Sequence, residues 1–213
     1  LIILQHTLRY TMDLSNKENT TSSTNQEKKC VALFPEPVTA DLQTVYNGEI
    51  DTRLAIKALR NDKTVLITGF YSNGLTLLKA LKLDLKKKYA KDDFKAQRDY
   101  RAAYNKMSNL VLIEIVNHKV AVKKAPSIGW LEKLYPDLVD FVLPFPKVQG
   151  LNSAWQWYSR GITIPVLRNK IHPYYGVYFP TRFEHLILFD NWLSRYEGNK
   201  KSAIDVGIGS GVL

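Results

Sequence analysis

Three glycines at alternate positions, Gly207, Gly209 and Gly211, follow a short apolar run, Ser202-Ala203-Ile204-Asp205-Val206. The run has the composition of a buried parallel strand. Glycine reaches positive φ without steric cost and lets a ligand approach backbone with no Cβ in the way. Val212 and Leu213 would then open a helix. Strand, glycine turn and helix N-terminus together form a concave seat for a nucleoside-bearing ligand at the carboxyl edge of a doubly wound sheet. The alternative is a glycine-rich tail, and the strand pattern ahead of the turn argues against it.

The glycine spacing is G-x-G-x-G, whereas the dinucleotide fingerprint is G-x-G-x-x-G. An acid, Asp205, directly precedes the turn. Upstream lies an aromatic extended segment, Ile171 to Leu186, that leads into a helix. Thr181 and Glu184 have capping-box spacing. Leu186, Phe189, Leu193 and Tyr196 recur at helical spacing and predict the buried stripe of that helix. Glu197 to Lys201 is a polar break before the strand.

D-x-G-x-G-x-G after a strand resembles the first motif of class I S-adenosylmethionine-dependent methyltransferases. The order of segments is similar to the release-factor glutamine methyltransferases and their relatives. It looks closer still to a bacterial-type group with the pattern I-H-P-x-Y-G-V, then P-x-R-x-E, then D-x-G-x-G-x-G-V-L. The matching residues are Ile171, His172, Pro173, Tyr175, Gly176, Val177, Pro180, Arg182, Glu184 and the turn from Asp205 to Gly211. A weaker similarity includes Gly69-Phe70, Asn73, Leu77-Leu78, Ala80-Leu81, Arg98, Arg101 and Lys124-Ala125-Pro126, so that it spans roughly residues 64–213. The resemblance implies that Asp205, Gly207, Gly209 and Gly211 contact S-adenosylmethionine. It implies that Tyr178, Phe179, Pro180 and Arg182 form one wall of the pocket, where aromatic faces would favour a sulfonium by cation–π attraction. The family's ribose-binding acid and its N-P-P-[YFW] substrate motif follow the glycine turn, so no catalytic residue is assigned. The chain is therefore expected to be a methyltransferase cut short after its first cofactor motif, inactive and a weak binder of the cofactor in this form.

Composition is that of an ordinary globular protein, with 45% hydrophobic and 23% charged residues. The one cysteine, Cys30, excludes an intrachain disulfide and fits a reducing, cytoplasmic setting. No apolar stretch approaches the roughly 20 residues of a membrane span, and no signal peptide or metal-ligand motif is evident. The formal net charge of +10 is uneven. Lys79 to Lys106 holds ten basic residues against four acidic ones. That window is either a pair of solvated helix faces or a surface for nucleic acid or an acidic partner. Tyr89, Phe94, Tyr100 and Tyr104 within it either stack on bases or form the apolar side of the same helices.

The rest of the chain divides as follows. Residues 1–36 read as a flexible N-terminal segment, with Ser15 to Lys29 too polar to bury a core. Residues 37–169 read as an α+β accessory domain, and 170–213 as the start of an α/β, Rossmann-like methyltransferase domain. Within 37–169 the pattern predicts a helix over 51–60 capped by Asp51 and a strand over 64–68. It predicts helices over 74–89 and 93–105, and a hairpin over 110–124 turning at Asn117-His118. A short helix is expected over 128–135, a core helix or aromatic platform at Trp155, Trp157 and Tyr158, and an edge strand over 162–167. His118 and His172 are weaker candidates for a base than for structural residues.

The first reading is methyl transfer from S-adenosylmethionine to a protein side chain or a nucleic acid. The second is a non-enzymatic module that binds nucleic acid or an acidic partner through the 79–106 face. A nicotinamide-nucleotide enzyme comes third, because the glycine spacing disagrees with it.

Overall fold

The computed structural model describes residues 34–39, 44–89, 93–198 and 209–211. The expected flexible segment 15–29, Cys30 and the strand 202–206 lie outside the described residues. The architecture is mixed α/β. Three adjacent strands, β1 (Thr44–Tyr46), β2 (Val65–Ile67) and β3 (Val111–Val116), run parallel in that order. The hairpin strand β4 (Lys119–Val120) and the later β5 (Phe141–Pro144) each pair antiparallel with β3. In residues 37–169, expected as α+β, parallel and antiparallel pairings thus meet on β3. Parallel strands need long crossovers, and α1 (Thr52–Arg60), α2 (Tyr71–Lys88) and α3 (Phe94–Ser108) supply them.

Each helix has a local cause. Asp51 caps α1 by accepting from the Arg53 N–H at 2.9 Å, and Asp93 caps α3 through the Ala96 N–H. Both satisfy donors that a helix start leaves free. Helix α2 begins three residues before the expected Gly74. Glycine is accommodated inside α2 because the helix passes the buried Phe145 ring there, and a Cβ would lie 2.5–2.7 Å from that ring. Strand β3 is buried at Val111, Leu112, Ile113 and Ile115 and exposed at Glu114. At its end Asn117 and His118 both take positive φ (50° and 56°), as a two-residue hairpin turn requires.

After the hairpin come α4 (Trp130–Leu134) and α5 (Phe145–Arg160). Trp130 is fully buried. Its indole meets the rings of Trp155 at 5.6 Å, Tyr158 at 4.7 Å, Tyr174 at 4.7 Å and Tyr175 at 6.2 Å. The main core gathers α1 to α5 around the sheet. A second, smaller cluster joins Ile162, Ile164 and Leu186, with Val166, Ile171, Phe179 and Phe183 against it.

Several local expectations fail. Residues 162–167 form no edge strand; Ile162 makes a single antiparallel bridge to Ile171, because Pro165 sits in a turn. That bridge straddles the expected division between residues 169 and 170. Phe94 is 83% exposed, since it begins α3 outside the layer. The final helix, α6 (Glu184–Arg195), starts after Phe183 with no side-chain cap, so Thr181 and Glu184 form no capping box. Of its expected stripe only Leu186 is buried, where α6 meets the small cluster; Phe189 and Leu193 are exposed.

Candidate functional site

The aromatic approach segment is fastened to α5. The Nδ1 of His172 lies 2.6 Å from the Tyr158 carbonyl. A carbonyl can only accept, so Nδ1 carries the proton of this bond. Gly161, at φ +70°, makes room for that ring, because a Cβ there would come within 2.8 Å of it. Pro173 is buried. Tyr174 and Tyr175 close around Trp130, and burial pushes the Tyr175 phenol above its ordinary pKa.

The four expected wall residues split into two pairs. Phe179 packs on Trp157 with ring centroids 5.7 Å apart, and Pro180 is buried. Tyr178 is 75% exposed. Arg182 is exposed and makes no hydrogen bond or ion pair among the described residues. Tyr178 and Arg182 are therefore presented to solvent, while Phe179 and Pro180 hold the segment down. In the glycine turn, Asp205 and Gly207 lie outside the described residues. Gly209 and Gly211 form a turn with φ of +52° and +69°. A Cβ on Gly211 would meet no described atom within 4 Å.

A second constellation occupies the carboxyl ends of the parallel strands. The Asn73 amide donates to the Asn47 carbonyl at 2.7 Å and to the Thr68 carbonyl at 2.9 Å. It stitches the exits of β1 and β2 to the first turn of α2. Gly48 and Gly69, at φ +88° and +74°, close on that amide from two sides. Beside it Phe70 is flanked by the ammonium groups of Lys123 and Lys124, at 5.7 and 5.8 Å, and Lys123 exchanges backbone hydrogen bonds with Gly69 and Tyr71. In the sequence the Asn73-Gly74 dipeptide is itself a turn or helix-entry signal. Its partner Asn47 carried no signal, because the bond goes to a backbone carbonyl that any residue could supply.

A cavity of about 520 Å³ lies beside the hairpin tip, with His118, Lys119, Lys124, Ser127 and Glu132 on its lining. The His118 Nδ1 lies 3.3 Å from the Leu131 carbonyl, which holds the ring against α4. Trp155 and Tyr158 are engaged with Trp130, so these aromatics of α5 form a knot within the core. Among the described residues no group of three or more His, Cys, Asp and Glu is placed to hold a metal ion. Among them, too, no helix is long and apolar enough to cross a membrane.

No protein-family model matches this sequence, and no curated protein matches it.

Proposed function

We propose that this chain carries the cofactor-binding turn of an S-adenosylmethionine-dependent methyltransferase acting in the cytoplasm on a protein side chain or a nucleic acid. The observation that carries the reading is the D-x-G-x-G-x-G series, in which Gly209 and Gly211 both adopt positive φ. Such a turn leaves backbone N–H groups and open space for a ligand where side chains would intrude. The cofactor supplies an activated methyl group: an acceptor lone pair takes the methyl carbon while the carbon–sulfur pair stays on sulfur. In this reading Asp205 meets the donor's positive charge, Gly207, Gly209 and Gly211 admit its amino-acid end, and Tyr178 and Arg182 line the open side. Phe179, Pro180 and His172 hold that segment in place.

The test is photo-crosslinking of methyl-tritiated S-adenosylmethionine to the full product of the gene, with tryptic mapping of the label. Label is expected on peptides spanning 171–211. Gly209→Val and Gly211→Val should each cut it at least tenfold, since a β-branched residue is a steric outlier at positive φ. Label at the parental level in both variants sinks the reading, as does label confined to other peptides. Unchanged circular dichroism would show that the core, which neither glycine joins, is intact.

A further inference from the structure

The cations of α2 and α3 are sorted by side. Asp84 binds Arg60 at 2.6 Å and Asp62 binds Lys106 at 2.7 Å, so both carboxylates are spent on the side that faces α1. Lys82 stands two residues before Asp84, about 200° away around the helix. There Leu75, Lys79, Lys82 and Lys86 follow the i, i+4, i+7, i+11 spacing of a single stripe. All four are exposed. A groove of about 380 Å³ runs beside the stripe, lined by Leu75, Leu78, Lys79, Lys82, Tyr104 and Gln149. The Lys82 ammonium sits over the Tyr104 ring at 5.8 Å. Arg101, one turn before Tyr104 on α3, is also exposed. Lys79, Lys86 and Arg101 make no ion pair among the described residues.

We infer that this groove is a docking track for the phosphate backbone of a nucleic acid. A row of lysines about 5 Å apart along the axis presents unpaired point charges with no fixed geometry. Release of counterions from a phosphate chain rewards such a row whatever the base sequence. An acidic protein partner would draw its binding energy from deeply seated aromatic or arginine anchors. The groove offers none, since Tyr104 is already engaged by Lys82. The inference stands apart from the cofactor turn, and its assay contains no methyl donor.

The experiment is fluorescence anisotropy of the protein with a labelled 20-nucleotide oligouridylate and a labelled 20-base-pair duplex, titrated between 50 and 200 mM salt. The single-strand and duplex arms show which form the groove prefers. Affinity for at least one probe should fall log-linearly with salt. The triple variant K79E/K82E/K86E should weaken binding tenfold or more at 50 mM. It should also reduce the magnitude of the slope by about 2–3, at roughly 0.7–0.9 for each phosphate that is no longer neutralised. The milder K79Q/K86Q, which leaves the Lys82–Tyr104 pair in place, should move both quantities in the same direction while retaining the urea midpoint. A control with the same charge change elsewhere, K57E/K63E/K133E, should bind within about threefold of the parent. Equal weakening in the control overturns the proposal, as does a slope unchanged in the groove variants. Tighter, groove-dependent binding of a labelled polyglutamate than of either nucleic acid would assign the face to an acidic polypeptide and also overturn it.

Discussion

Replacing Gly74 by alanine sets two effects of known size against each other. Glycine in a helix interior is worse than alanine by about 1 kcal/mol, so propensity alone says that the variant gains stability. Packing says the reverse. The new methyl carbon would lie 2.5–2.7 Å from the tip of the Phe145 ring. Carbon atoms in contact prefer about 3.5–4.0 Å, so one partner must move by about 1 Å. Phe145 is fully buried and its ring already rests on Tyr71, 4.9 Å between centroids. It cannot swing to solvent, and α2 cannot retreat without leaving the main core. Overpacking of this kind costs about 1–3 kcal/mol, occasionally more. The expected net effect is a destabilisation of up to about 2 kcal/mol, read as a lower urea midpoint by tryptophan fluorescence. The double variant G74A/F145L removes the ring tip and should show a favourable coupling of at least about 1 kcal/mol in a double-mutant cycle. A midpoint above the parent for G74A, or a coupling near zero, would refute the argument.

Two further outcomes follow from the same structure. Asn73→Asp replaces two donated hydrogen bonds by an acceptor that faces the Asn47 and Thr68 carbonyls; at about 1–3 kcal/mol for each unsatisfied buried group, it should cost about 2 kcal/mol or more by urea unfolding at pH 7. The Tyr135 phenol donates to the Pro35 carbonyl at 2.6 Å, and burial, with Tyr175 nearby, pushes its pKa far above the ordinary 10. Because the folded pKa is raised, this contribution is complete below about pH 10 and is lost as pH rises beyond it, when the unfolded phenol ionises. Tyr135→Phe should therefore lower stability at pH 7 by about 1 kcal/mol. Above pH 10 its stability should fall less steeply than the parent's, by about 1.4 kcal/mol per pH unit; parallel alkaline profiles would contradict the assignment.

Much of the main layer could be read from local chemistry. Asp51 announced α1 because a cap is a one-residue signal beside an amphipathic run, and α3 was legible from its apolar spacing. The Asn117-His118 turn was legible because two flanking β-prone runs require it. Strands β1 and β5 were not legible. Thr44–Tyr46 has three residues, too few to show a period, and its identity comes from pairing with Val65–Ile67. Phe141–Pro144 ends in proline, a local signal against a central strand, and β5 is an edge partner of β3 alone. The parallel order of β1 to β3 is likewise a property of pairing, which no single segment encodes. At the candidate site, the glycine series was visible as spacing. The division of the wall residues was not, because Phe179 is drawn inward by Trp157, which is distant in sequence.

The placement of residues 172–183 rests on contacts made by the main core. Trp130 on α4 is the centre of the knot, and Tyr174 and Tyr175 reach it from the approach segment while Trp155 and Tyr158 reach it from α5. The His172 bond to the Tyr158 carbonyl adds a polar tie at the same helix end, and Phe179 on Trp157 adds an apolar one. Three independent ties thus converge on the last two turns of α5. Tyr178 and Arg182 lie between and just beyond these fixed points, exposed on a segment whose backbone has little freedom to shift. A backbone held in this way is pre-placed, so a ligand gathering there need order only the two side chains and not the loop that carries them. The same logic explains why a structural aromatic cluster sits beside the candidate site. The hydrophobic free energy of Trp130 and its neighbours, about 1.5–3 kcal/mol for each large side chain removed from water, keeps the approach segment in register with the helix against which it works.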